Sequence, residues 1–287
     1  MTISAQEYLF YSNIIFAVFA FIGGACIGSF LNVVILRVPK GLSVVKPPST
    51  CVCKKRIKPY DNIPILSWFI LRGKARCCGA KISFRYPFIE LLTALLFLAC
   101  YLLLDSPVSY VMMFFTALMI VVSFIDIDTL ELPDFLTAGG ALIGFILSVA
   151  IPQIHDADIE NAPFLLSAFK SGISSFAGIT VGVGLCYVIR YIGEVVFNRE
   201  AMGEGDVILM GLIGAFCGWQ GAVFAILGGS FFGSILILPL IPILKRQKKD
   251  LMIAFGPVLA LGALLYVLVF KDFVANYVEN VQRIFQL

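Results

Sequence analysis

Hydrophobic positions in this chain come in long unbroken runs rather than in strict alternation or in half-apolar stripes. Charge-free runs cover 13–36, 91–104, 106–125, 135–154 and 207–244, another lies between Lys170 and Arg190, and one more covers 251–270. A helix needs about 20 such residues to cross the hydrocarbon core of a bilayer. The run 207–244 holds 38 residues, enough for two spans of about 19 joined by a turn at Gly218-Trp219-Gln220-Gly221-Ala222. The pattern predicts eight spans: 13–36, about 88–104, 106–125, 135–154, 170–190, two within 207–244, and 251–270. The expected fold class is all-α integral membrane. Glu90 must then sit at or just inside a membrane border, and Leu132-Pro133-Asp134 reads as a helix start with Asp134 as its cap. The first run lacks a basic n-region and is long enough to span, so it reads as a helix rather than a cleavable signal.

Composition excludes a soluble globular domain: 60% of the 287 residues are hydrophobic, 14% are charged, and mean hydropathy is +0.98, where ordinary domains carry roughly 25% charged residues. Charge placement says more than the net +3. Between Arg37 and Arg85 lie 12 of the 21 Lys and Arg residues, against Asp61 alone. A short loop this basic is expected in the cytoplasm. It lacks the interleaved aromatic platforms of a nucleic-acid site, so no nucleic-acid partner is expected. Pro39, Pro47, Pro48, Pro59, Pro64 and Pro87, with Gly41, Gly73 and Gly79, predict a turn-rich module over 37–88. Residues 1–36 then form the first span and 89–287 a polytopic domain. The acidic loop 155–169 falls on the outer face and the basic run 245–249 on the inner one, as the charge rule requires.

Cysteine usage divides the same way. Cys26, Cys100, Cys186 and Cys217 lie in apolar runs and read as buried thiols. Cys51, Cys53, Cys77 and Cys78 all fall in the basic module, where a metal site outranks disulfides if the loop is cytoplasmic. A module this small needs such a staple.

Two carboxylates stand at the borders of apolar runs. Asp126 closes 106–125, and Asp206, at the end of Gly203-Glu204-Gly205-Asp206, opens 207–244. An ionisable group there is costly and points to function. Counting spans from the basic loop puts both on one face. Two carboxylates brought together share a proton, so that one activates a water while the other polarises a carbonyl. Gly203 and Gly205, flanking Glu204, let the backbone bend and approach closely before the helix that carries Asp206. Either aspartate alone also suits a helix N-terminus electrostatically; the pairing favours catalysis. His155, the single histidine, falls on the opposite face, which sets histidine-based catalysis aside.

Several stretches carry a family likeness. Gly28-Ser29-Phe30-Leu31-Asn32-Val33-Val34, Tyr60-Asp61-Asn62-Ile63-Pro64-Ile65-Leu66-Ser67-Trp68, Leu71-Arg72-Gly73, Ile82 through Glu90, Asp126-Ile127-Asp128, Gly203-Glu204-Gly205-Asp206 and Phe255-Gly256-Pro257 follow one another in order. Together they resemble the bacterial type IV prepilin peptidases, the prepilin leader peptidase/N-methyltransferases. The resemblance implies an inner-membrane enzyme of type IV pilus or type II secretion systems. It would cut the basic leader from prepilins or pseudopilins at the cytoplasmic face and methylate the new N-terminus with S-adenosylmethionine. It matches Asp126 and Asp206 to the catalytic pair and points, by position, to Arg72, Gly73 and Glu90 for methyl transfer. Many members carry two C-x-x-C pairs for zinc. Here the first reads Cys51-Val52-Cys53 and the second Ala75-Arg76-Cys77-Cys78, so tetrahedral Zn²⁺ and free thiols stay open side by side. Other classes compete: a peptidase without methyl transfer, a proton- or cation-coupled transporter using Asp126 and Asp206, which would want them near mid-membrane rather than at the cytoplasmic edge, and a scaffold whose basic loop binds a partner or anionic lipid.

Overall fold

The computed structural model describes residues 5–156, 162–198, 202–237, 239 and 254–285. Helices dominate: α1 Ala5–Arg37, α2 Leu66–Ile70, α3 Arg85–Leu103, α4 Val108–Thr129, α5 Asp134–Ala150, α6 Phe164–Phe197, α7 Glu204–Ile237, α8 Gly256–Leu265 and α9 Lys271–Phe285, with a π-helical turn Tyr266–Phe270 between the last two. Six helical stretches among the described residues are long and apolar enough to cross a membrane, and α5 is a shorter apolar helix. One of the six, α7, is divided at Gly218. The chain is an all-α, multi-pass membrane protein, with eight apolar helical segments among the described residues. The basic run 245–249 and residues 251–253 lie outside the described residues.

Helix ends depart from the hydropathy runs where local chemistry lets the helix continue. α4 runs past Asp126 to Thr129, and α6 extends from the expected 170–190 to Phe164–Phe197. Arg190 does not stop α6, because Glu194 one turn on holds its guanidinium at 2.9 Å. Asp134 is the first residue of α5 and not its cap: Pro133 occupies the cap position in extended conformation, and no side chain caps the helix. Beyond 270, where the last apolar run ends, the chain stays helical as α9.

The chain divides into two compact units, 1–121 and 122–287. In the first, α1 and α3 pack closely, because a side chain at Gly24 would stand 2.8 Å from the Ala94 Cα and one at Gly28 2.8 Å from the Glu90 Cα. Between lipid-embedded helices, where no hydrophobic effect draws them together, such small-residue contacts supply the packing. The Asn32 amide bridges the same pair, donating to the Gly28 and Tyr86 carbonyls, each at 3.2 Å. The module between these helices is built from short turns around Trp68. Its indole N–H donates to the Ile82 carbonyl at 3.0 Å, and Phe69 and Phe84 meet the ring edge-on at 5.2 and 5.4 Å.

In the second unit, α7 packs along α5, α6 and α8. Gly218 has φ 67° and ψ −176°, a region that in practice only glycine visits. The break interrupts the helical ladder and leaves carbonyls of the preceding turn to other partners. The Ala215 carbonyl accepts Ser175 Oγ at 2.9 Å and Ser148 Oγ at 3.2 Å, with His155 Nε2 at 3.3 Å. Burial, the largest influence, lowers the His155 pKa to about 4, so the imidazole is neutral at pH 7. A Gly218→Ala chain must hold its new Cβ in that glycine region at a cost of about 1–3 kcal/mol. Its thermal unfolding in detergent is expected several degrees lower, and an unchanged midpoint would contradict this account of the break.

Candidate active site

Asp126 lies in the last turn of α4. The helix ends three residues later because Leu130 turns to φ 57°, its N–H closing on the Asp126 carbonyl at 2.9 Å. Thr129 Oγ1 adds a bond back to the Ile125 carbonyl at 2.9 Å. Asp206 is the third residue of α7, close to the helix start. Gly205 allows this helix to meet the loop after α4, since a side chain there would stand 2.9 Å from Leu132 Cβ. The two helix ends thereby bring their aspartates within electrostatic reach of each other. Both are buried, Asp126 at 5% and Asp206 at 9% exposure. Asp206 also accepts the Gly203 backbone N–H.

A third element completes the site. The backbone N–H of Gly256, first residue of α8, donates to Asp126 Oδ2 at 2.8 Å. First-turn amides have no partner inside their own helix and gather at its positive end, so a helix N-terminus receives a carboxylate readily. The residue must be glycine, because a Cβ would stand 2.7 Å from Asp126 Oδ2. This donor is invisible in the sequence, where Phe255-Gly256-Pro257 carries no chemical side chain. The only clue was a glycine at a helix start on the same face as the aspartates. A Gly256→Ala chain is expected to fold and to lose about tenfold or more in any activity the pair supports; activity equal to wild type would remove Gly256 from the site.

Two further neighbours were also missed. Arg190 reaches Glu204 at 3.3 Å as well as Glu194, tying α6 to the residue two before Asp206. The Cys186 thiol, buried on α6 within electrostatic reach of Asp206, donates to Met202 Sδ at 3.0 Å. His155 stands apart. Its carbonyl partner Ala215 is nine residues beyond Asp206 on α7, about 14 Å along the helix.

In the first unit, Cys51, Cys53, Cys77 and Cys78 come together, with all four sulfurs within 4.8 Å of one another. Separations are 3.5 Å for Cys51–Cys78, 3.3 Å for Cys53–Cys77 and 3.9 Å for Cys77–Cys78. Four thiolates at about 2.3 Å from a tetrahedral zinc stand about 3.8 Å apart, so the donor set fits. Two tight turns overcome the irregular spacing. Lys54 at φ 63° returns the chain so that the Lys54 N–H meets the Cys51 carbonyl, and Gly79 at φ 70° does the same onto Ala75. The Cys53 backbone N–H and the thiols of Cys77 and Cys78 bring Cys51 down to about 7, while its neighbours' hydrogen bonds push Cys77 up to about 12. One sulfur of the set is thus ready to ionise first.

Arg72 and Gly73 follow α2, and Glu90 stands by its start. Gly73 is a packing position at φ 67°, buried against Trp68, and Arg72 is exposed at φ 49°. Glu90 is buried at the other end of α2, accepting the Ile65 N–H at 2.6 Å and a hydrogen bond from Ser29.

Comparison with known proteins gives a consistent picture. Residues 22–104 match the bacterial peptidase A24 N-terminal domain, and residues 113–238 match the type IV leader peptidase family. The chain is similar to a prepilin leader peptidase/N-methyltransferase of Myxococcus xanthus, 39% identical over 79% of this chain and 63% of the relative. It is 36% identical to a type 4 prepilin-like proteins leader peptide-processing enzyme of Escherichia coli, over 86% of this chain and 91% of the relative. A prepilin leader peptidase/N-methyltransferase of Pectobacterium carotovorum is 30% identical over 83% and 88%. No solved structure matches the chain.

Proposed function

We propose, from the premise that this chain belongs to the type IV leader peptidase family, that it is an aspartic endopeptidase of the bacterial inner membrane. It removes the basic leader of type IV prepilins or pseudopilins at the cytoplasmic face, and it methylates the new N-terminus. The observation that carries the peptidase reading is the meeting of Asp126 and Asp206, both buried, at the ends of two membrane helices. A transporter would hold such carboxylates near mid-membrane; these sit at helix ends.

The chemistry follows from the geometry. Asp126 Oδ2 is occupied by the Gly256 N–H, which fixes the carboxylate plane and leaves the other oxygen for a water. Two carboxylates in mutual reach hold one proton between them. The ionised one takes a proton from the attacking water as it adds to the scissile carbonyl. The protonated one gives its proton to the carbonyl oxygen; as the C–N bond breaks, the pair passes one proton to the leaving amine and takes one back from a hydroxyl of the tetrahedral intermediate, which restores the shared proton. A site at the membrane border lets the substrate's apolar segment stay in lipid while its charged leader remains in water.

Methyl transfer rests on the names of the relatives, which imply a donor such as S-adenosylmethionine. In the module Gly73 seats Trp68 and Glu90 accepts from Ile65 and Ser29, while Arg72 is exposed. Zinc fits the four cysteines, where it would fold the module rather than react. The deciding experiment incubates reconstituted protein with a prepilin and reads the mass of the product's N-terminus. Loss of the leader supports the peptidase, an added methyl group supports the second activity, and an uncut prepilin under folded conditions rejects the proposal.

A further inference from the structure

The first unit exposes an apolar surface that does not stop where its membrane helix stops. On α2, Leu66, Phe69 and Ile70 are 59%, 58% and 70% exposed, and Phe84 beside them is 57% exposed. The rings are continuous. Phe88, in the first turn of α3, contacts Phe84 at 6.5 Å, Phe84 contacts Trp68 at 5.4 Å, and Trp68 contacts Phe69 at 5.2 Å. This chain of aromatics leads from the lipid-facing start of α3 out over the module. Contiguous apolar surface of this kind marks an interaction site.

Charge identifies what covers it. Residues 37–85 carry 12 basic side chains and one acidic residue, Asp61. That residue is already held by Arg76 at 2.9 Å. Arg72 and Lys74 are exposed directly after α2. The module is also tethered at both ends, by α1 ending at Arg37 and α3 beginning at Arg85, so it stays beside the bilayer. Exposed rings flanked by cations and confined to a membrane surface match an anionic leaflet, where apolar side chains enter the headgroup boundary and Lys or Arg meet the phosphates.

We propose that α2 and Phe84 form a membrane-surface anchor, with Leu66, Phe69 and Ile70 inserted into an anionic leaflet and Arg72 and Lys74 on its phosphates. The anchor lays the module flat on the membrane instead of leaving it free in water. This inference does not depend on the proposed enzymatic activities.

Trp68 lies inside the patch, and Trp219 is the chain's other tryptophan, so a Trp219→Phe chain reports from the anchor alone. Full-length protein is placed in nanodiscs with or without phosphatidylglycerol, in lipids brominated near the headgroup. Trp68 emission is expected to be quenched by the brominated lipid, more strongly when phosphatidylglycerol is present. The added changes Phe69→Ser and Ile70→Ser should lose that quenching and make Trp68 accessible to aqueous acrylamide. Hydrogen exchange over 63–74 in the unsubstituted protein gives a second reading, with protection expected to rise with phosphatidylglycerol. Acrylamide access without lipid quenching in every disc overturns the proposal. So does quenching that ignores the serine changes, or exchange that ignores lipid charge. Protection that instead follows the number of chains per disc assigns the patch to a second copy and also overturns it.

Discussion

Replacing either Asp126 or Asp206 by asparagine is expected to lower prepilin cleavage by about 10²- to 10⁴-fold, the range for removal of a positioned acid–base group. The double replacement should be little worse than either single one. Asparagine keeps the size of the side chain and still accepts the Gly256 N–H through its amide oxygen, so the fold at this point has no reason to fail. What is lost is the ability to take or give a proton. If the two carboxylates hold their proton jointly, as we propose, removing one ends the function of both, and effects of groups that act as a unit do not add. Cleavage rates of the three variants in reconstituted membranes check this. If the losses multiply, the aspartates act independently and the shared-proton mechanism is wrong. If one variant cuts at near wild-type rate, that residue is not part of the pair.

The second large effect concerns the four cysteines. The purified protein is expected to hold one zinc per chain, and Cys51→Ser or Cys78→Ser to hold none. Metal binding in a small module is folding free energy, so these chains should be cut by protease within 37–85 while the second unit stays intact. Methylation of the processed substrate should fall by about tenfold or more, whereas leader cleavage, for which we propose Asp126 and Asp206 of the second unit, should persist. Metal analysis together with the ratio of methylated to unmethylated product distinguishes the outcomes. Wild-type protein that methylates fully without metal would sink the zinc assignment.

The sequence carried the spans well, because a bilayer selects unbroken apolar runs and places charge at their borders. The same rule exposed Asp126 and Asp206 as residues out of keeping with their surroundings. Even the break at Gly218 was legible, since 38 charge-free residues exceed one span and a turn with two glycines lay within them. The Gly256 amide was not legible, as a backbone donor leaves no trace in side-chain chemistry. The cysteine set looked awkward on spacing, and only the left-handed turns at Lys54 and Gly79 show how four sulfurs meet. Glu90 was singled out by resemblance as a group for methyl transfer, but its hydrogen bond to Ile65 gives it a second role as a clasp between α3 and the module. Hydropathy cannot distinguish a carboxylate that reacts from one that fastens.

The bond between Gly256 and Asp126 joins residues 130 positions apart. A ribosome releases Asp126 into the membrane long before it has made Gly256. Until α8 is made, the first aspartate lacks its amide partner, and a chain halted between the two cannot assemble the complete site. The pair carried by α4 and α7 therefore stays without that amide until α8 follows them into the bilayer.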